Sequence, residues 1–593
     1  YNRGICNAEN RGLDSQFARA TYVPTDLDRD LLPKILNRQF ALVILTGNPG
    51  DGKTAFLQQL ALKLGYQGKV LPLNHWVIEN EDWTYECVLD GSAADSQRGL
   101  SSDEVLKQLF DPLIKAGENR DLAATLKRTQ LLAINDGRLL EFLEDHQREP
   151  NWLFDHINRF FEPAMGDPHP EIVVVDLNRR SLVTEGTQSG GFEEILAALL
   201  EGGWGEYRPS EDPWNTCQSC RAAPFCHVRF HVDTLRDPVL GHQVRQRLQT
   251  LLALVHSRGR LHITIRELRS TLTYIFFGDK SCEEIHQELE NIDQIEGLKK
   301  LQKGNLYFER IFTTSQRGGR LLGELADFDP GKINNPRLDR LIASYLKAPC
   351  RLEELFIPTP NRLPHRSLQW LFGRASDENP FSNFAEIRRR LFFEGQTKKE
   401  EGATEDYSWL EMTPFRSFPK WMECLADFWQ GRYELPEDVC HLLCRGVSLT
   451  ESVPEELLDR YMAVRTAANP KTDLIVVRLF PLQQFRLTWE RPETKTLVLN
   501  PMPTAMLLQY GPEGDPTLEI TAELFELLVR FAEGYRLGSA ELEGVAAHLE
   551  LFKNRLLAMP AKEVCLLHPT LGSYRARQEL HDGTRRIILE AMS

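Results

Sequence analysis

The chain has 593 residues, of which 42% are hydrophobic and 26% charged, and its formal net charge at pH 7 is −15. This length exceeds what one hydrophobic core can organise, and the composition excludes disordered and fibrous classes. The acidic balance disfavours a protein wrapped in nucleic acid, although it is compatible with a local basic groove. No apolar run reaches the ~20 residues of a membrane span and no signal region is visible, so we expect a cytoplasmic protein without a membrane partner. The first residue is Tyr1 and not methionine, which suggests a piece of a longer chain.

The stretch "ALVILTGNPGDGKTAFLQQLAL", residues 41–62, contains the complete phosphate-binding pattern G-x-x-x-x-G-K-[ST]. A short apolar strand precedes the loop and helically spaced apolar residues follow it, which is the context that the pattern requires. The glycines let backbone amides approach a phosphate, Lys53 would reach the β- and γ-phosphates, and the Thr54 hydroxyl would bind Mg²⁺. The predicted nucleotide-binding residues are Gly47, Asn48, Pro49, Gly50, Asp51, Gly52, Lys53 and Thr54.

Four further apolar runs predict strands before residue 180. They are "KVLPLN" from Lys69, "YECVLDG" from Tyr85, "LLAINDG" from Leu131 and "IVVVDLN" from Ile172. Helical stretches such as "SSDEVLKQLFDPLIKAG" separate strands, a pattern typical of βα crossovers and a parallel sheet. The sequence therefore predicts the α/β class, with a five-stranded parallel P-loop NTPase core of the additional-strand type.

Two carboxylates compete for the role of directing Mg²⁺. In additional-strand P-loop NTPases the third strand carries this acid and the fourth a polar sensor of the γ-phosphate, which assigns the roles to Asp90 and Asn135. A second register stays open, in which Asp136 directs the metal and Asn178 is the sensor. A glycine follows the acid in either register, so no acidic base lies next to the metal ligand, and we expect slow hydrolysis.

The stretch "CQSCRAAPFCHVRFH" has the spacing of metal ligands. Cys217 and Cys220 form a C-x-x-C pair and Cys226 follows six positions later, which favours a structural zinc ion with four N or S ligands. An iron–sulfur cluster, or unliganded thiols in a reducing compartment, are the competing interpretations. The candidates for the fourth ligand are, in order, His231, His227 and, from elsewhere in the chain, Cys282 or Cys87.

Residues 244–278 predict a helical lid that follows the nucleotide-binding core. Apolar and basic residues alternate there at helical spacing, and Thr264 is the predicted N-cap of a helix. Arg266 would begin that helix and could place its guanidinium on the γ-phosphate as a catalytic arginine. The alternatives for this role are Arg179 and Arg180, directly after the fifth predicted strand.

The pattern divides the chain into five segments. They are an N-terminal segment (1–25), the P-loop NTPase core (26–185), a zinc-binding insertion with the helical lid (186–345), a mainly helical domain (346–470) and an α+β C-terminal domain (471–593). The basic run Arg388–Arg390 lies on a predicted amphipathic helix, where we expect a solvated face.

The combination of "GNPGDGKTAF", "VLDGSA", "LLAINDGRLLEFL", "VVVDLN" and the cysteine cluster resembles P-loop ATPases of bacterial anti-phage defence. These include ATPases of phosphorothioation-dependent restriction and NTPase regions joined to defence-system protein kinases. The resemblance covers roughly residues 25–345 and implies an AAA+-like ATPase that uses ATP and Mg²⁺ against foreign DNA or phage. DNA or a defence-system protein is the expected partner, and an oligomer is expected. The alternative is a nucleotide-gated switch with little turnover, which controls a fused or partner kinase or nuclease.

Overall fold

A computed structural model describes two compact units of the chain. The described residues are 12–68, 74–148, 151–183, 191–203, 208–289, 291–293, 306–313, 319–346, 355–358, 382–396, 408–451, 453, 455–469, 473–490, 494–535, 546–561, 563–581 and 584–592. The first unit comprises Tyr1–His256, Arg260–Pro414 and Pro492–Met502, and the second Ser257–Gly259, Phe415–Arg491 and Pro503–Ser593. The predicted boundaries at residues 185 and 345 lie inside the first unit and the one at 470 inside the second.

The strands fall into three sheets. They are β1 (Leu42–Thr46), β2 (His75–Asn80), β3 (Trp83–Val88), β4 (Arg128–Ala133), β5 (Ile172–Asp176), β6 (Tyr461–Asn469), β7 (Leu474–Pro481), β8 (Phe485–Trp489), β9 (Ala505–Tyr510), β10 (Thr517–Thr521), β11 (Glu563–His568), β12 (Gly572–His581) and β13 (Thr584–Ala591).

The described part of the chain also contains α-helices. They are α1 (Gln16–Ala20), α2 (Leu32–Leu36), α3 (Lys53–Lys63), α4 (Ser102–Ala116), α5 (Leu122–Leu126), α6 (Asp136–Asp145), α7 (Trp152–Phe161), α8 (Gly191–Glu201), α9 (His227–Arg236), α10 (Leu240–Ser257), α11 (Ile265–Phe277), α12 (Cys282–Leu289), α13 (Tyr307–Arg310), α14 (Gly319–Leu325), α15 (Pro336–Leu346), α16 (Ser382–Glu394), α17 (Phe418–Trp429), α18 (Glu437–Leu449), α19 (Ala522–Ala532) and α20 (Ala546–Ala558).

The strand that precedes the glycine-rich loop lies inside the sheet of the first unit. The strand order is β2-β3-β4-β1-β5, with β1 parallel to β4 and β5, and β3 parallel to β4. β2 runs antiparallel to β3, because only the two-residue turn at Glu81 and Asp82 joins them and so short a connection cannot return the chain in parallel. The prediction of five strands is confirmed, whereas the prediction that all are parallel is wrong at β2.

Three of the four runs predicted to follow the loop form strands of this sheet. The runs from Tyr85, Leu131 and Ile172 lie in β3, β4 and β5. The run from Lys69 falls largely outside the described residues, since 69–73 are not described. The structure has β2 at the edge of the sheet next to β3, and the periodicity of the sequence did not predict this strand.

A continuous apolar core fixes the position of the loop. All five residues of β1 are buried, and Phe56, Leu57 and Leu60 of α3 belong to the same cluster of apolar side chains as residues of β3, β4 and β5. Burial of apolar surface contributes about 25 cal/mol per Å², so α3 is held firmly against the sheet that contains β1. The loop between them therefore lies at the carboxyl edge of the parallel strands, where ligands bind in open α/β sheets.

Residues 494–502 extend this sheet beyond β5. Leu497 donates its backbone N–H to the carbonyl of Val174 (2.8 Å) and accepts from the N–H of Asp176 (3.0 Å). Asn500 accepts from the N–H of Ser181 at 3.0 Å and donates its side-chain amide to the Ser181 carbonyl. The segment belongs to the first unit, although the residues on both sides of it in sequence belong to the second. It satisfies hydrogen-bonding groups at the open edge of β5.

The second unit has α+β organisation. Its sheets have the orders β10-β9-β8 and β13-β12-β11-β7-β6, and all their pairs are antiparallel. Helices α18 and α19 approach closely at Gly446, where a Cβ atom would lie 2.3 Å from the carbonyl oxygen of Leu528. The indole rings of Trp421 and Trp489 pack edge to face, with centroids 5.1 Å apart.

Two of the three arginines of the basic run on α16 are buried and Arg389 is only partly exposed, so the expectation of a solvated face is wrong. Arg388 is 9% and Arg390 3% exposed. Each guanidinium has a carboxylate partner: Arg388 pairs with Asp339, Arg389 with Asp329 and Glu309, and Arg390 with Glu394. Buried charges persist when they are paired. The partners of Arg388 and Arg389 are distant in the sequence and leave no periodic signal, whereas Arg390 pairs with Glu394 one turn along the same helix.

Candidate functional site

The loop Gly47–Thr54 has the backbone shape of an anion cradle. Gly47, Gly50 and Gly52 have φ values of 143°, 107° and 90°, a region that other residues rarely adopt. Space is also limiting, since a Cβ atom at Gly50 would lie 3.0 Å from Cβ of Arg266. Helix α3 begins at Lys53, so its N-terminal amides and positive dipole end face the loop.

Lys53 folds back over the loop. Its Nζ donates to the carbonyls of Gly47 (2.6 Å) and Asn48 (3.0 Å). Burial lowers the pKa of Lys53, and the negative charges of Asp51, Asp136 and Asp90 oppose that shift. A partly buried ammonium among carboxylates is thus positioned at the base of the loop, where it can exchange two carbonyl oxygens for those of an anionic ligand.

A cavity of about 390 Å³ lies against the loop. Its walls come from the loop, the ends of β3 and β4, the start of α11 and residues 12–27. The predicted catalytic residues Lys53, Asp90, Asn135 and Arg266 all line it, as do the eight predicted loop residues. Five separate parts of the sequence therefore converge on one volume.

Asp90 and Asn135 follow the third and fourth strands, as predicted. Asp90 comes two residues after β3, and its Oδ1 accepts from the backbone N–H of Ser92 at 3.1 Å. Asn135 caps α6, because its Oδ1 accepts from the N–H of Gly137 at 3.0 Å. β3 and β4 are parallel neighbours, so their following residues reach the same edge of the sheet.

The residues of the second register lie beside this pair. The side-chain amide of Asn178 donates to Oδ2 of Asp136. Oδ1 of Asp136 and Oδ1 of Asn178 are buried and have no hydrogen-bond partner among the residues that the structure describes. Asp176 is close enough to Asp136 to feel its charge. Burial raises the pKa of Asp176, and the negative charge of Asp136 raises it further.

Asp51 anchors the loop from within, a role that its variable position in the motif does not indicate. Its carboxylate is fully buried, accepts from the Asn48 N–H at 2.6 Å and pairs with Nε2 of His262 at 2.7 Å. Arg180 donates Nη2 to the Asp51 carbonyl at 2.8 Å. The loop is therefore held by the segment before α11 and by the segment after β5.

Of the three candidate arginines, Arg266 is the one that lines the cavity. Its backbone N–H donates to the Gly50 carbonyl at 3.2 Å, and the N-cap predicted at Thr264 is confirmed by its bond from the Glu267 N–H. Arg179 is exposed and pairs with Asp176, and Arg180 is buried behind the loop.

Sequence reasoning missed two parts of the cavity wall. Arg269 lies one helical turn beyond Arg266, lines the cavity and donates to the Thr21 hydroxyl at 3.2 Å. The i, i+3 spacing on α11 could have indicated it. Residues 12–27 form the other part, and Leu13 donates its N–H to Oε1 of Gln58 at 2.6 Å. No local motif marks that segment.

The structure removes His231 as a metal ligand. Its Nδ1 donates to the Phe276 carbonyl at 2.6 Å, and its Nε2 accepts from the Tyr307 N–H at 2.9 Å, so the lone pair that a metal needs is already used. Its pKa lies well below the usual value, because of burial first and then the charges of His227 and Arg310. His227, the second candidate for the fourth ligand, is also hydrogen-bonded, since its Nε2 accepts from Arg310 at 3.1 Å.

The three predicted cysteines and Cys282 lie in one region. Cys220 and Cys226 pack against a small apolar cluster that includes Ile285 of α12, the helix that begins at Cys282. Burial and the charges of Cys217 and Cys282 raise the pKa of the Cys226 thiol. Within the described ranges, however, no group of three or more His, Cys, Asp or Glu side chains has an arrangement that could hold a metal ion.

The fold and the site define an α/β protein whose mostly parallel sheet carries a glycine-shaped loop at its carboxyl edge. Comparisons of the chain with protein-family models, curated proteins and solved structures find no match. None of the described helices is both long enough and apolar enough to cross a membrane.

Proposed function

We propose that the first unit binds and hydrolyses ATP as an AAA+-like P-loop protein, and that it acts in bacterial defence against foreign DNA or phage. The observation that carries nucleotide binding is the convergence of the anion-shaped loop, Lys53, Thr54, Asp90, Asn135 and Arg266 on one cavity. The defence role, with DNA or a defence-system protein as partner and an oligomeric cytoplasmic protein as its form, rests on the motif resemblance.

Each side chain has a distinct task in the proposed reaction. The loop amides and Lys53 bind the β- and γ-phosphates, and Arg266 adds positive charge at the γ-phosphate. Asn135 hydrogen-bonds the same group from the end of β4. The Thr54 hydroxyl and the Asp90 carboxylate line the cavity together and are the oxygen donors that suit Mg²⁺. When bound, Mg²⁺ neutralises charge on the phosphates.

The test of nucleotide binding is the pair of variants Lys53→Ala and Lys63→Ala. Both residues lie on α3, but Lys63 is exposed at the far end of the helix. We expect Lys53→Ala to lower ATP affinity by at least about 10²-fold, because it removes the ammonium nearest the phosphates. Lys63→Ala should bind ATP as the wild type does. Unchanged affinity in Lys53→Ala, measured by calorimetric titration, contradicts the proposal.

A specific observation favours the alternative, a nucleotide-gated switch with little turnover. The position after Asp90 is Gly91, and a Cβ atom there would lie 2.8 Å from Cδ1 of Leu132. An acidic base next to Asp90 is therefore absent, and a side chain at this position would have to displace the terminal methyl group of Leu132. Phosphate release with and without DNA separates the two functions. Tight ATP binding with background release in both conditions favours the switch, which would signal to a kinase or nuclease partner.

For the zinc ion, we propose that Cys282 replaces His231 as the fourth ligand beside Cys217, Cys220 and Cys226. The thiols interact electrostatically, but their present arrangement does not form a metal site, so no step of the reaction is assigned to zinc. We expect elemental analysis to find about one zinc ion per chain, lost in Cys282→Ser. The control Cys440→Ser, in α18, should retain it. Folded, ATP-binding protein without zinc contradicts the proposal, and iron in its place supports a cluster instead.

A further inference from the structure

Hydrolysis requires an acceptor for the proton of the attacking water, and the usual position for it, directly after the metal-directing acid, is Gly91, which has no side chain. Among the carboxylates whose charge reaches Lys53, Asp51 is already bound by the Asn48 N–H and His262, and Asp90 is the proposed metal ligand. Asp136 is the third of these carboxylates, and it directly follows the cavity residue Asn135.

We propose that Asp136, held by Asn178, orients and deprotonates the water that attacks the γ-phosphate. This assignment rests on the proposed ATPase function. The side-chain amide of Asn178 donates to Oδ2 of Asp136, which fixes the carboxylate and leaves its Oδ1 without a protein donor. Asp136 comes from the end of β4 and Asn178 from just beyond β5, and β1, which leads into the loop, lies between these strands.

The two free oxygens have the right chemistry for one water molecule. Oδ1 of Asp136 and Oδ1 of Asn178 are both buried acceptors without a donor in the described part of the chain. A buried acceptor without a partner is unfavourable, so such atoms are retained where a ligand or water satisfies them. Water has two O–H donors, one for each of these oxygens.

The chemical step balances with these groups alone. The water oxygen forms a bond to the γ-phosphorus, and the bond from that phosphorus to the oxygen bridging the β-phosphate breaks, which releases ADP. One water proton passes to the Asp136 carboxylate and is later lost to solvent. The second stays on the inorganic phosphate. Asn178 is a positioning residue for Asp136.

The experiment is single-turnover ATP hydrolysis with excess protein, combined with titrations of ATP and Mg²⁺. We expect Asp136→Asn to lower the rate of the chemical step by about 10²–10⁴-fold, because it removes the base and keeps the shape. ATP affinity and Mg²⁺ requirement should stay within about twofold of the wild type, since both are assigned to other residues. Asn178→Ala should lower the rate by about tenfold through loss of orientation. Glu144→Gln, an exposed acid on the same helix, is the matched control and should leave all three quantities unchanged.

The comparison with Asp90→Asn separates the two registers. That variant should raise the Mg²⁺ requirement, whereas Asp136→Asn should not. A raised Mg²⁺ requirement in Asp136→Asn makes Asp136 the metal ligand and overturns the assignment, and so does an unchanged rate. Loss of ATP affinity or of the folded circular-dichroism spectrum in both Asp136→Asn and Asn178→Ala assigns the pair a structural role only. Wild-type protein that binds ATP without releasing phosphate contradicts hydrolysis itself, whereas turnover that survives Asp136→Asn contradicts only this inference.

Discussion

At the scale of single residues, Asp51 determines the shape of the loop. Its buried carboxylate satisfies the Asn48 N–H and the His262 ring together. In Asp51→Asn one of these donors would face an NH₂ group, so we expect the free energy of unfolding to fall by about 1–3 kcal/mol and ATP to bind more weakly. The thermal midpoint and ATP titration measure this. Asp111→Asn, which breaks an exposed pair with Lys115 on α4, should change neither quantity measurably.

The three arginines are expected to differ according to their contacts. Arg266→Ala should lower the hydrolysis rate by about 10³-fold with a smaller effect on ATP affinity, since the charge acts at the γ-phosphate. Arg180→Ala should weaken ATP binding and lower the thermal midpoint, because Arg180 is 2% exposed and donates to the loop at Asp51. Arg179→Ala is the exposed control. Equal effects of Arg179→Ala and Arg266→Ala on the rate would contradict this division.

At the scale of elements, α16 places a carboxyl group where its charge is unfavourable. Burial raises the pKa of Glu386 to about 7, the charge of Glu309 adds to the rise, and Arg390 and Arg389 oppose it. The folded state therefore holds the proton more tightly than the unfolded state. The resulting stability is complete below the ordinary glutamate pKa and is lost as pH rises through about 7.

Glu386→Gln tests this pH dependence. Glutamine mimics the protonated carboxyl group, so the variant should match the wild type near pH 4.5 and be more stable by roughly 3 kcal/mol near pH 8. Thermal midpoints at the two pH values provide the measurement, with the exposed Glu144→Gln as control. A variant that is less stable than the wild type at pH 8 would show that the ionised carboxylate is needed there.

At the scale of the whole molecule, the sequence predicted features that depend on local chemistry. The loop Gly47–Thr54, the N-cap at Thr264 and the strands that contain Tyr85, Leu131 and Ile172 follow from spacing and from residue type. The placement of "KTLVLNP" did not follow, because an apolar run does not specify which strand edge it will pair with. This run, residues 495–501, lies within the bounds 471–593 predicted for the C-terminal domain, but its Leu497 pairs with the backbone of β5 in the first unit.

The failures at His231, Arg388 and Arg389 have one physical cause. The partners of these polar side chains come from distant parts of the chain, such as Tyr307 for His231, Asp339 for Arg388 and Asp329 for Arg389. Arg390 instead pairs with Glu394, one turn along the same helix. Motif spacing predicts ligands close in sequence, so it could propose His231 for a metal but could not show that its ring nitrogens were already bound. The contacts of Asp51 with His262 and of Asn178 with Asp136 were hidden for the same reason.

We expect nucleotide binding to affect the segments that line the cavity and not the whole molecule. Every residue that lines the cavity belongs to the first unit: residues 12–27, the loop, the ends of β3 and β4, and the start of α11. Binding at 100 times the dissociation constant adds about 2.7 kcal/mol to the stability of the state that binds. We expect hydrogen exchange with ATP and Mg²⁺ to slow in these segments, and the strands β12 and β13 to exchange at an unchanged rate. Lys53→Ala should abolish the protection. Equal protection of β12 and β13, or protection that persists in Lys53→Ala, would show that ATP acts at another place in the chain.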